Sequence, residues 1–175
     1  LFWYHPHVRE DRQQELGLYG TILVEPKENI LKEMREEVLV LDDLLFEENN
    51  VPDFGEKETN FAIMGRFGNE LLVNGKTDFK LDAKAGEPIR LYLLNAANAR
   101  PFRFAIEDSK LKVVGGDAGF FGGPFFADNV TLGPSERAIV EVFFEGVGSF
   151  AIQNNTPLGI GSLGKVVVSP QEISL

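Results

Sequence analysis

No cysteine occurs anywhere in these 175 residues. Disulfides, thiolate nucleophiles, sulfur-ligated zinc and blue-copper sites that require a Cys ligand are therefore excluded. The same absence leaves the redox compartment undetermined. Basic residues are scarce: 17 Lys and Arg face 27 Asp and Glu, a net charge of −10. Phosphate binding needs clustered cations, so neither a nucleic-acid nor a membrane partner is expected. Long apolar runs are missing too, and those present are far too short to span a bilayer. Leu1 to His7 lacks the basic region and apolar stretch of a signal sequence. There is one Trp, and there are only two His.

What the chain does have is Phe, 15 of them, within a hydrophobic content of 43 %, enough for a core. Eighteen Gly and nine Pro are spread along the chain, as turns between short strands require. LYGTILV (18–24) reads as a strand ending at Glu25-Pro26. ENILKEMRE (28–36) is expected to form a short helix with Ile30, Leu31 and Met34 on one face. EEVLVLDDLLF (36–46) is a buried strand with an acidic tail, and 48–60 is a loop by composition. From residue 70 strands follow almost without interruption. ELLVNGK ends at an Asn-Gly turn; FKLDA, IRLYLLNAA, FRFAIE and LKVVGG come next; GGDAGFFGGPFF is expected to be a loop. NVTLG, ERAIVEVFFE, SFAIQNN and KVVVSP close the chain. In ERAIVEVFFE, Ala138, Val140, Val142 and Phe144 alternate with Ile139, Glu141 and Phe143, as on a strand with one wetter face. About nine short strands with regular turn signals predict a β-sandwich with Greek-key connections.

His5 and His7 sit two apart, so an extended backbone projects both imidazoles from one face. That suits a metal site or a paired-base site. No lead-in strand is evident before them, so the chain reads as beginning partway through a domain. The strand at 18–24 is then expected to lack partners and to seek another chain or fray. Arg9, Glu10, Asp11 and Arg12 read equally as groups orienting an imidazole or as a solvated charged loop. Trp3 and Tyr4 read as packing behind a metal loop more readily than as an electron or substrate path. Asp42 and Asp43 are adjacent on a strand and point to opposite faces, which speaks against a shared proton. The glycines of 115–123 lack the Lys-Ser/Thr and helix of a phosphate loop and serve turns instead. Asn95, Asn98 and Arg100 read as a turn network. The triplets at Asn129 and Asn154 fit the glycosylation pattern but carry no weight.

WYHPH, then Gln13, then GLYGTILVEP resembles the end of the first cupredoxin domain of three-domain multicopper oxidases, the laccases, bilirubin oxidases and cuprous oxidases. LLVNGK (71–76), GEPIRLYLLNAANARPFRFAI (86–106), VVGGDAGF (113–120) and LGPSERAIVEVFF (132–144) resemble the second cupredoxin domain, in the same order. The resemblance implies an all-β, cupredoxin-like Greek-key β-sandwich. Residues 1–26 would be the C-terminal remnant of a first cupredoxin domain, 27–36 a linker or short helix, and 37–175 the second cupredoxin domain. It implies copper as cofactor and His5 and His7 as two ligands of a trinuclear cluster. Trp3, Asp11 and Gln13 would support them, Gln13 through a structural hydrogen bond.

The intact enzyme would couple one-electron oxidation of phenols, bilins or metal ions to reduction of dioxygen to water. Its partners would be dioxygen, a small reducing substrate, and other cupredoxin domains or identical chains. A periplasmic or extracellular location is favoured by the resemblance alone. The family's cluster uses eight histidines and its blue copper a cysteine; this chain holds one pair and none. It would therefore have weak or no activity alone. Two alternatives stand beside this reading: a copper-free structural or interaction module, and a homotrimer that binds copper between subunits.

Overall fold

A computed structural model describes residues 1–25, 27, 32–55, 58–157 and 159–170. In chain order its elements are β1 (Phe2–Tyr4), α1 (Glu10–Gln13), β2 (Gly20–Ile22), β3 (Arg35–Leu44) and α2 (Glu58–Met64). Then come β4 (Glu70–Val73), β5 (Lys80–Lys84), β6 (Pro88–Asn95), β7 (Phe102–Ile106) and β8 (Leu111–Gly116). The last are β9 (Gly119–Ala127), β10 (Val130–Leu132), β11 (Arg137–Phe143), β12 (Gly148–Thr156) and β13 (Gly159–Ser169). A six-stranded sheet, β4-β3-β6-β11-β8-β9, packs on a five-stranded sheet, β10-β7-β12-β13-β5. β3–β6 and β13–β5 are parallel; the other pairs are antiparallel. This is the β-sandwich that the strand pattern predicts, and the all-β, cupredoxin-like Greek-key form of it that the resemblance implies.

Period-two alternation explains the layers. On β6, Ile89, Leu91 and Leu93 enter the core with Ala138, Val140 and Val142 of β11. They meet Phe102, Phe104, Ile152, Leu163 and Val166 of the opposite sheet. Each of the Val, Leu, Ile and Phe side chains among them stabilises the fold by about 1.5–3 kcal/mol through lost apolar exposure. The other face of the six-stranded sheet is not simply wet. Tyr92, Val114 and Ile139 are buried there beneath Leu1 and Leu23, while Phe143 on the same face of β11 is half exposed. The amino-terminal segment therefore lies across this outer face.

The Asn-Gly turn forms as read. Asn74 and Gly75 both take positive φ, 51° and 73°, and Val73 and Lys76 exchange backbone hydrogen bonds across it. That is the left-handed pair a two-residue hairpin loop requires.

Four expectations need correction. The predicted helix at 28–36 falls partly on 28–31, outside the described residues; 32–34 form no helix and Arg35 already opens β3. β-propensity and pairing with β6 outweigh a two-turn amphipathic pattern. The glycine-rich stretch is a hairpin, β8 turning at Asp117-Ala118 into β9, because flanking Phe and Val supply enough pairing surface. The loop at 48–60 gives way to α2 at Glu58. The strand at 18–24 shortens to Gly20–Ile22, and it does have a partner: Phe2, Trp3 and Tyr4 pair with Ile22, Thr21 and Gly20. A strand thus leads into the histidines after all.

Candidate metal centre

β1 ends one residue before His5, and α1 begins at Glu10. Between them the backbone is irregular and bends over residues 7–9, and the two imidazoles lie together. Their centroids lie 4.7 Å apart with planes tilted by 39°. Trp3 stacks on His5 at 4.4 Å. His7 Nδ1 lies 2.8 Å from Glu10 Oε1, and His5 Nδ1 lies 3.2 Å from the Pro6 carbonyl oxygen. With the proton on Nδ1, each ring donates to an oxygen and presents Nε2 as a lone-pair donor. A carboxylate or carbonyl behind a ring fixes its tautomer in the same way in metal sites.

The other sequence-derived candidates separate. Glu10 reaches an imidazole. Asp11 instead pairs with Arg9 through two hydrogen bonds of 2.9 and 2.8 Å, and that guanidinium holds its carboxyl below the usual range. Gln13 is half-buried, and its amide makes no hydrogen bond among the described residues; the neighbouring Gln14 makes one, donating Nε2–H to the Ala96 carbonyl at 2.8 Å. No group of three His, Cys, Asp or Glu placed to hold a metal occurs among the described residues. Imidazole suits copper, so His5 and His7 fit that ion as part of a donor set and do not close a shell by themselves.

Behind α1 lies a polar seam that joins the amino-terminal segment to the sandwich. Glu15 and Arg66 form a buried ion pair, Nε to Oε1 3.3 Å, and Asn98 donates to Glu15 Oε2 at 3.1 Å. Burial pushes the Glu15 carboxyl up against the pull of Asn98 and Arg66. The Arg66 guanidinium lies over the Phe54 ring, 3.9 Å from its centroid. Asp43 accepts from Arg100 Nε at 2.7 Å and from the Gly68 N–H. Asn95, fully buried, donates to the carbonyls of Arg100 and Leu132 and accepts from the Ala97 N–H, so it builds the expected turn, while the Asn98 and Arg100 side chains reach out of it to Glu15 and Asp43.

Asp42 and Asp43 do point apart and keep separate partners. Tyr19 donates its hydroxyl proton to Asp42 Oδ2 at 2.6 Å, and the Asp43 N–H donates to Oδ1 at 2.8 Å. Burial pushes the Asp42 carboxyl up to about 7 and the Tyr19 phenol upward as well. Tyr19 also meets Trp3 edge to face, 6.4 Å between centroids. Sequence reasoning missed Glu15, Tyr19 and Arg66. An acidic residue directly after two glutamines and an arginine between Gly65 and Phe67 were the available signals, and neither names its partner.

A cavity of about 580 Å³ opens between Leu1 and Leu23 on one side and Tyr92, Phe120 and Ile139 on the other. Its buried Arg90 is already held by Glu36 and Glu141, and the histidines do not line it.

Residues 35–168 match the family described as Multicopper oxidase. Among curated proteins, Cell division protein FtsP of Escherichia coli (strain K12) is 32 % identical over 140 residues, covering 77 % of this chain and 30 % of that protein. FtsP of Yersinia pestis is 30 % identical over 182 residues, covering 98 % and 37 %. Among solved structures, the laccase-like multi-copper oxidase CueO from Ochrobactrum sp. superposes with a TM-score of 0.80 at 30 % identity, covering 96 % of this chain and 40 % of that one. The Campylobacter jejuni multicopper oxidase, a metallo-oxidase, gives 0.82 at 25 %, covering 99 % and 38 %. The chain spans about a third of the length of the curated relatives it matches. With the family match covering the whole sandwich and the imidazole pair seated beside it, the chain belongs to the multicopper oxidase family.

Proposed function

We propose that this chain is the part of a multicopper oxidase that supplies two copper-ligating imidazoles, His5 and His7, together with the scaffold that fixes them. Copper in such an enzyme carries electrons from a small reducing substrate, a phenol, bilin or metal ion, to dioxygen. Residues 1–26 would close a first cupredoxin domain, 27–36 connect, and 37–175 form the second. The observation that carries this reading is the adjacency of the two rings, each with Nδ1 engaged by oxygen. Trp3 holds the His5 ring by stacking, and Glu10 orients His7. The remaining ligands would come from other cupredoxin domains or identical chains. Activity of this chain alone is expected to be weak or absent.

The test is metal retention. After loading with Cu(II) and desalting, the protein should keep copper at a fixed ratio, with nitrogen hyperfine structure in its electron paramagnetic resonance spectrum. His5→Ala/His7→Ala should abolish both. Equal retention by the double variant, or none by the parent chain, refutes the assignment. A second reading, a structural or interaction module without oxidase activity, draws on the resemblance to FtsP, proteins named for cell division. It gains if no copper is retained while the folded chain captures a partner domain.

A further inference from the structure

The amino-terminal segment carries an unbroken line of redox-capable groups that leads inward from the imidazole pair. His5 stacks on Trp3 at 4.4 Å, Trp3 meets Tyr19 at 6.4 Å, and Tyr19 donates a 2.6 Å hydrogen bond to the buried Asp42. We propose that Tyr19 is a redox-active tyrosine that gives up an electron through Trp3 toward His5 while its phenolic proton passes to Asp42. In this step the Tyr19 O–H bond breaks and an O–H bond forms on Asp42. One electron leaves the phenol, which becomes a neutral tyrosyl radical, and a strong one-electron oxidant is reduced. That oxidant is, by class, a partly reduced oxygen species generated beside the histidines. For its source the proposal rests on the copper reading above.

The geometry selects Tyr19 among the three tyrosines. Oxidation of a phenol makes it strongly acidic, so a stable radical requires a nearby base ready to take the proton. Asp42 is such a base because no cationic side chain among the described residues pairs with it. The groups that face it are Tyr19, the Asp43 N–H, and the carboxylates of Asp43 and Glu15, whose negative charges favour its protonation. The nearby guanidiniums are committed elsewhere, Arg100 to Asp43 and Arg66 to Glu15. Tyr92 offers the instructive contrast. It also donates to a carboxylate, Glu36 at 3.0 Å, but Arg90 sits on the same oxygen at 2.6 Å and holds the charge there. Tyr4 is 60 % exposed and lies on the solvent face of β1, opposite Trp3. The upward shift of both the Tyr19 and Asp42 groups agrees: at neutral pH the phenol keeps its proton until it is oxidised, and the acceptor sits near its midpoint. Such a line would draw oxidising equivalents away from the imidazoles that hold the metal.

The test uses the whole chain in two arms. In the first, metal-free protein is oxidised by photogenerated tris(bipyridine)ruthenium(III), and radicals are trapped by rapid freezing for electron paramagnetic resonance, with ring-deuterated tyrosine as the reporter. A neutral tyrosyl signal is expected, lost in Tyr19→Phe and kept in Tyr4→Phe and Tyr92→Phe. Asp42→Asn should slow its formation by about a hundredfold, the low end of what a positioned base supplies, and should reduce the solvent deuterium isotope effect. An undiminished signal in Tyr19→Phe overturns the proposal; an unchanged rate in Asp42→Asn overturns the proton transfer to Asp42. In the second arm, copper-loaded protein is treated with hydrogen peroxide and oxidation of His5 and His7 is read by mass spectrometry. Tyr19→Phe and Trp3→Leu should each raise histidine oxidation severalfold. No rise in either overturns the link to His5. A tyrosyl signal on Tyr19 in a chain that retains no copper would sink the copper reading and leave the Tyr19–Asp42 couple standing.

Discussion

Replacing Asp42 by Asn should make the protein more stable, and by more at higher pH. Asp42 is 4 % exposed. Burial is the main force that pushes its carboxyl up to about 7 from an unfolded value near 3.8; the Tyr19 and Asp43 donors pull it back, and the Asp43 and Glu15 charges push it further. Because the folded value is the higher one, the folded chain binds more protons than the unfolded chain between these two pH values. Stability is therefore greatest when Asp42 is protonated, and it falls as pH rises through about 7. One pKa unit corresponds to about 1.4 kcal/mol. From pH 5.5 to 8 the ionisation of Asp42 should thus cost roughly 2 kcal/mol of stability. Asn keeps an oxygen for the Asp43 N–H but turns an amide N–H toward Tyr19, a loss of about 1 kcal/mol. The variant should then exceed the parent by about 1 kcal/mol at pH 5.5 and about 3 kcal/mol at pH 8. Urea unfolding at both pH values, above the sequence pI of 4.7, measures the gap, and titrating groups remote from Asp42 cancel between the two proteins. Parallel stability curves, or a parent that gains on the variant as pH rises, would refute the assignment of a protonatable carboxyl at Asp42.

The Glu15–Arg66 pair should behave as a unit: Arg66→Met alone should cost about 3 kcal/mol by stranding a buried carboxylate, and Glu15→Gln/Arg66→Met together should recover more than half of that. Urea midpoints complete the cycle, and additivity within about 0.5 kcal/mol would show that the two are not coupled. Gly164 has φ of 128°, and a Cβ there would stand 2.2 Å from the Phe79 carbonyl oxygen, so Gly164→Ala should destabilise by roughly 2–3 kcal/mol. A thermal midpoint within a degree of the parent would contradict that geometry.

What the sequence disclosed follows from range. Alternation on β6 and β11 is local, so the strands and their inner faces were legible before any tertiary contact was known. So was the turn at Asn74-Gly75, where backbone chirality leaves few residue choices. Phe120, Phe125 and Phe126 pair with β8, but five glycines around them mimic a loop, so β9 went unread. α2 was hidden because a short helix is held by packing of Phe61 against Arg66 more than by propensity. His5 and His7 were legible as a pair because spacing alone put them on one side. Glu10, three residues from His7 in a run of mixed charge, became distinct from Asp11 only once the bend after Pro6 decided which carboxylate met an imidazole and which met Arg9.

The seam of Glu15, Arg66, Asn98, Tyr19, Asp42, Asp43 and Arg100 raises a different question, since buried ion pairs of this kind contribute little net stability beside well-packed apolar groups of the same size. Apolar groups at that boundary would hold the amino-terminal segment just as firmly, but with less control over where it sits. A carboxylate paired to a guanidinium admits one register, because any slip strands a charge in a dry layer at a cost of several kcal/mol. Gln14, Glu15 and Tyr19 each reach a different point on the sandwich: Ala96, Arg66 with Asn98, and Asp42. Three such points fix a rigid body. The imidazoles, seven to fourteen residues upstream and themselves largely outside the core, thereby take their position from the sandwich as well as from β1 and β2. The expected consequence is that the seam variants above, even those that leave the fold stable, loosen the geometry of His5 and His7 and lower copper retention along with it, whereas Gly164→Ala, on the far sheet, lowers stability and leaves retention by the folded fraction unchanged.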